Sequence, residues 1–232
     1  MSKSQNSKQN KNFLFFSTLV ILLASFIIIS LESRANRPIT RTGKYIANTL
    51  YKNKNYSTAA LSLVVFNLQD TDSQILRVKS EIEAGELEHT QSILTKLHAD
   101  NPNRRDITLM LGAYYSLSDN TLAMRSLVAD QSDPHALEAL NKLNSNNLAK
   151  AQELYVLGLL NSSKRILDGD TQESAEKYLL YARINLALDP NKKGATNALE
   201  YIVDCLRLDP INNDAQMLLK IVRHETVYAY NL

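Results

Sequence analysis

Nineteen consecutive residues from Phe13 to Leu31 (FLFFSTLVILLASFIIISL) carry no charge, no amide and no proline. At 1.5 Å rise per residue a helix of that length spans roughly 28 Å, enough to cross a bilayer's hydrocarbon core with little tilt. Residues 1–12 before it are polar and free of acid, which reads as a disordered tail. Residues 32–43 after it are basic and read as a linker, with PITRTG (38–43) lying ahead of the first folded helix. From Lys44 the pattern changes, and apolar residues recur at helical rather than strand spacing.

That spacing predicts eleven helices over residues 44–232. Ile46, Ala47 and Leu50 mark the first, and Tyr56, Ala59, Leu63 and Phe66 the second. Ile75, Leu76 and Val78 mark the third. Thr90, Leu94 and Leu97 mark the fourth, which Pro102 closes because proline lacks a backbone donor and pushes its predecessor out of helical geometry. A helix from Arg105 and a short one over 121–129 follow, then His135–Leu143 with Ala136, Leu137, Leu140 and Leu143 on one face. Leu148–Leu160 reads as one longer helix with Leu157-Gly158 inside it. Gln172–Leu188 comes next, capped by Asp170 or Thr171 after the LDGDT loop. A helix bearing Ala198, Ile202, Cys205 and Leu208 ends at Asp209-Pro210, and a last one runs from Asn213 to about Tyr228.

The stretch Gly85–Tyr115 holds a helix–helix turn glycine, the closing Pro102, and then Leu111, Gly112 and Tyr115 in an L-G-x-x-Y arrangement. This resembles the tetratricopeptide (TPR) repeat, a 34-residue helix-turn-helix unit. The segment 71–104 is best in register, although Glu81 stands where the repeat has an aromatic residue. Ala198 and Pro210 repeat the spacing from the small opening residue of a second helix to its closing proline, while 131–170 diverges. The resemblance implies an α-solenoid of TPR-like helix pairs at 44–232; with the apolar run, the expected fold is all-α, a single N-terminal transmembrane helix followed by that solenoid. It also implies a job, holding protein partners on the concave face of the array, with Tyr114 and Tyr178 as candidate groove residues. The final helix would serve as a cap with a polar outer face from Lys220, Arg223, His224 and Glu225. One TPR activity is argued against. A carboxylate clamp needs cationic side chains on the third repeat's first helix, where Leu109 and Ala113 stand, although Lys44 and Asn48 imitate its first half.

Composition agrees with an all-α chain, with only six glycines and five prolines in 232 residues. Charge is uneven. Residues 1–54 carry nine Lys/Arg against one acid, giving +8, and the remainder carries 17 against 23, giving −6. A basic neck before an acidic body suits a membrane surface and not nucleic acid, which asks for basic residues on the folded part. One cysteine, Cys205, excludes an internal disulfide and sits where the repeat asks for a small buried residue. The histidines (His89, His98, His135 and His224) are scattered without metal-ligand spacing, and no phosphate-binding or nucleophile motif occurs. The sequence therefore points to no catalytic residue, no metal and no cofactor. Glu81, Glu83, Glu86 and Glu88 lack the alternation of a calcium loop and read as a solvated turn.

Two readings of the apolar run stay open. Its length favours an uncleaved anchor, whereas Ser33-Arg34-Ala35 offers a signal-peptide cleavage site. Flanking charges nearly tie, with Lys3, Lys8 and Lys11 on one side and Arg34, Arg37, Arg41 and Lys44 on the other. A short tail before a large folded part also fits a bacterial signal anchor. The expectation is thus an inner-membrane protein with its repeat array in the periplasm, a scaffold that helps assemble an envelope complex of the pilus, secretion or cytochrome-maturation type. The alternatives are a membrane receptor with a cytosolic array and a structural subunit of a larger membrane complex.

Overall fold

A computed structural model describes residues 38–230, and these residues form twelve α-helices and no strand. The helices are α1 (Pro38–Lys52), α2 (Tyr56–Val65), α3 (Thr71–Ala84), α4 (Thr90–Asp100), α5 (Arg105–Leu117) and α6 (Thr121–Ala129). They continue as α7 (Pro134–Leu143), α8 (Asn147–Val156), α9 (Leu160–Asp168), α10 (Ala175–Leu188), α11 (Lys192–Leu208) and α12 (Asn213–Tyr230). The polar tail, the 13–31 run and the linker up to residue 37 lie outside the described residues. Among the described residues no helix is long and apolar enough to cross a membrane. The PITRTG stretch corrects the linker expectation, because it is the first turn and a half of α1. Proline is pre-organised for the first position of a helix. Gly43 then lies inside the helix under Phe66, whose Cγ would sit 2.7 Å from an added Cβ.

The described residues fall into two compact units, one up to Ser80 and one from Glu81. In the first, Ala47 of α1 packs with Leu63 of α2 and with Leu68, and Phe66 and Leu76 flank them. Lys44 reaches Asp70 at 3.3 Å across the same hairpin. In the second, Ala151, Leu167, Leu180 and Ile184 bind α8, α9 and α10 together. Ala182, Ala195, Ala198, Ile202 and Val222 do the same for α10, α11 and α12. Tyrosines serve this packing: Tyr181 stacks on Tyr201 at 4.8 Å, and its hydroxyl donates to Asp168 Oδ1 at 2.8 Å.

One turn recurs through the chain. Left-handed backbone occurs at Lys54, Asn67, Gly85, Asp119 and Gly158. After α3, Gly85 N–H donates to Ile82 O (3.1 Å) and Glu86 N–H to Glu81 O (2.8 Å). After α8, Gly158 N–H donates to Tyr155 O (3.0 Å) and Leu159 N–H to Leu154 O (2.9 Å). These paired bonds satisfy the last carbonyls of each helix in the Schellman manner. Lys54 with Asn55 closes α1 the same way, and Asn120 N–H reaches back to Tyr115 O after α5. The shared turn joins α1 to α2, α2 to α3 (at Asn67), α3 to α4, α5 to α6 and α8 to α9. Residues 85 and 119 stand at the 34-residue spacing of the repeat.

The turn at Gly158 corrects the sequence reading. Leu148–Leu160 is not one helix with a packing glycine inside it. Gly158 has φ +76 and nothing within 4 Å of an added Cβ, so it breaks the helix and allows α9, the helix by which the twelve described exceed the eleven expected. Downstream, Ser174 caps α10 by accepting from Lys177 N–H at 3.1 Å, and not Asp170 or Thr171.

Two contacts hold the second unit beyond its hairpins. Gly112 on α5 faces α7 so closely that a methyl there would overlap Leu140 Cδ2, and Ser116 Oγ donates to Leu143 O at 2.6 Å. The last turn of α3 also meets α9. Arg165 Nη2 donates to Ile82 O at 2.9 Å, and Asn161 N–H donates to Glu83 Oε2 at 2.8 Å. Glu83 is therefore buried at the start of a helix, where N–H groups and the helix dipole favour an anion. Glu81 is buried too, and Thr90 Oγ1 donates to its Oε2 at 3.0 Å. Only Glu86 and Glu88 form the solvated turn expected of all four.

A candidate protein-binding groove

The first helices of successive pairs leave one side uncovered in the second unit. Asn146 caps α8 by accepting from Ala149 N–H at 2.9 Å, and Ser174 fixes the start of α10. With their starts set, Ala151 and Leu154 on α8 and Ile184 on α10 turn into the core. Glu176, Leu179, Leu180 and Arg183 of α10 recur at i, i+3, i+4 and i+7, so they form one stripe along the helix. Gln152, Glu153, Tyr155 and Val156 of α8 face that stripe, and the α11–α12 connection closes the end with Asp209, Ile211 and Asn212. The space enclosed is about 750 Å³. Val156 and Ile211 stand at its rim with 73% and 82% of their surface exposed.

Charge in the groove is mostly paired. Arg183 Nη2 holds Asp214 Oδ2 at 2.6 Å, and Lys142 holds Glu138 at 2.8 Å along α7. Asn212 Nδ2 donates to Asp209 Oδ2 at 3.1 Å. Glu153 differs, since only 8% of it is exposed and no donor among the described residues reaches its carboxylate. Burial pushes the Glu153 carboxyl above the ordinary glutamate value, against the opposing pull of the Lys142 charge.

The repeat residues occupy structural positions. Gly85 forms the turn after α3, and Pro102 lies two residues beyond α4, exposed. Leu111 is buried, Gly112 meets α7, and Tyr115 is half-buried against Tyr114 with ring centroids 5.7 Å apart. Ala198 is wholly buried in α11, and the carbonyl of Pro210 accepts from Gln216 Nε2 at 2.8 Å. Of the two tyrosines read as groove candidates, Tyr114 is only 7% exposed, and its hydroxyl donates to Gln91 at 3.3 Å. Tyr178 is half-buried and stacks on Tyr201 at 6.5 Å, with its hydroxyl pushed up by burial and by Glu173. Neither lines the groove of α8 and α10, which takes Tyr155 instead.

Sequence reasoning did not single out Glu153, Val156 or Ile211. Leu157-Gly158 was the available signal, since a glycine closing a helix leaves the residues before it at an exposed end. Cys205 packs among Ala175, Leu179 and Ala215, and burial raises its thiol pKa, which suits a small core residue. Among the described residues no group of three His, Cys, Asp or Glu side chains is arranged to hold a metal ion.

No family model matches the chain, and no curated protein sequence matches it. Among solved structures it is similar to the crystal structure of a tetratricopeptide repeat protein from Parabacteroides merdae ATCC 43184. That likeness has 14% identity and a TM-score of 0.43, and covers 96% of this chain and 100% of that one.

Proposed function

We propose that the protein is a membrane-tethered scaffold that binds protein partners through the groove of α8, α10 and the α11–α12 connection. The observation that carries this is an open, half-apolar groove on stacked helix hairpins, with Val156 and Ile211 held out at its rim. Stacked hairpins provide extended binding surfaces of this kind, and exposed aliphatics beside fixed polar groups are what protein interfaces bury. The role is binding and not catalysis. The tether is the 13–31 run, and its basic neck adds attraction to anionic headgroups of about 1 kcal/mol per residue near the surface. In the full reading the array is exported and assists assembly of a bacterial envelope complex.

The nearly tied flanking charges support a second reading, a membrane-anchored receptor whose array faces the cytosol. A C-terminal fusion to a reporter active only outside the cytoplasm separates the two. Activity at full-length mass is expected. Activity with loss of about 35 residues, as cleavage at the Ser33-Arg34-Ala35 site would give, would replace the anchor by a cleaved signal. No activity would overturn export in favour of the receptor.

A further inference from the structure

We propose that this groove takes a partner segment bearing a lysine or arginine side chain next to a bulky apolar one, with Glu153 receiving the cation. The inference rests on the groove being the partner surface. Three observations carry it.

The first is the state of Glu153: it is nine-tenths buried, lines the groove, and has no donor within hydrogen-bond reach among the described residues. The second is the commitment of the nearby cations. Lys142 is held by Glu138 and Arg183 by Asp214, so neither neutralises Glu153 directly. Glu176 adds a further carboxylate to the same lining, which leaves the groove short of positive charge. The third is the apolar rim, where Val156 and Ile211 flank the acidic floor and offer contact to an aliphatic neighbour of the cation.

The chemistry narrows the cation. A divalent metal asks for several oxygen ligands, and no group of three candidate ligands occurs among the described residues. One carboxylate suffices for an alkylammonium or guanidinium, which it binds through charge-assisted hydrogen bonds. Most of the Glu153 side chain is covered by the fold, and this burial is why its carboxyl is pushed up. An arriving cation meets a partly desolvated anion that no cation among the described residues already pairs, and such a charge pair adds to discrimination.

The test uses the full chain in detergent micelles and three labelled nine-residue peptides, read by fluorescence anisotropy. Each has two leucines flanking a central residue in an alanine background, with lysine, norleucine or glutamate at the centre. The lysine peptide is expected to bind about tenfold or more tighter than the norleucine peptide, with glutamate weakest. Glu153→Gln, nearly isosteric, should bring the lysine and norleucine peptides to equal affinity while retaining norleucine binding. Lys142→Ala should preserve the lysine preference. Equal affinities in the unaltered chain, or a preference that survives Glu153→Gln, overturns the cation site alone. Undiminished binding by Ile211→Asp, or no binding of any peptide, overturns the groove reading and the inference with it. Unchanged helical circular dichroism identifies the folded variants on which these outcomes are read.

Discussion

At Lys54, Asn67 and Asp119 the backbone turns through left-handed geometry without glycine, while Gly85 and Gly158 make the same turn with it. A Cβ in that region costs about 1–2 kcal/mol. Asp119→Gly is therefore expected to stabilise the chain by about 1 kcal/mol, less the added entropy of the unfolded glycine, and Gly158→Ala to destabilise it by about 1–2 kcal/mol. Urea denaturation of both variants checks the pair, and a loss of stability in Asp119→Gly would contradict it. The two glycine turns also show what the sequence reveals. Gly85 stands among polar residues in GELEHT, so the break is visible, whereas Gly158 lies between Leu157 and Leu159, and the apolar period runs through it unbroken. Burial at Glu153 gives a further residue-scale expectation. Because its folded pKa is raised, stability is gained as pH falls through that raised value, and the gain is complete below the ordinary glutamate value. Glu153→Gln should raise Tm near neutral pH, with the difference vanishing below about pH 4. A difference that grows on acidification would contradict the raised pKa.

Between elements, the contact most open to test is α5 against α7. Gly112→Ala places a methyl on Leu140 and is expected to cost about 1–3 kcal/mol, as overpacking does. Leu140→Ala in the same chain should recover part of that cost, giving a coupling free energy that additive variants would lack. Leu111, Gly112 and Tyr115 were legible because the signature and the close approach are local to one helix. The buried pair Glu81 and Glu83 was not. Thr90 and the start of α9 supply their donors, and Asn161 lies far downstream of Glu83, beyond any periodicity a short window can hold. The described part of α12 behaves similarly. A polar outer face was expected there, and Lys220 and Arg223 provide part of it, yet Met217 and Ile221 stand exposed beside them.

Across the whole molecule, sequence periodicity carried the all-α class and most helix positions, since each helix must bury one stripe whatever its neighbours are. The groove was less legible, because it is made by residues of α7, α8, α10 and α12 that meet only when the hairpins stack. The charge asymmetry belongs to this scale too. An acidic body behind a basic neck puts the proposed binding surface and the proposed tether in separate parts of the sequence, so each can be altered without the other. If partners are held in the groove, site-specific photo-crosslinking in living cells will capture them there. A photoreactive residue at Ile211 is compared with one at Leu122, which is 78% exposed on α6 and outside the groove. A discrete crosslinked species from position 211 is predicted, lost when Val156→Asp is added, with none from position 122. Equal crosslinking from both positions, or a species from 211 that persists with Val156→Asp, would contradict it.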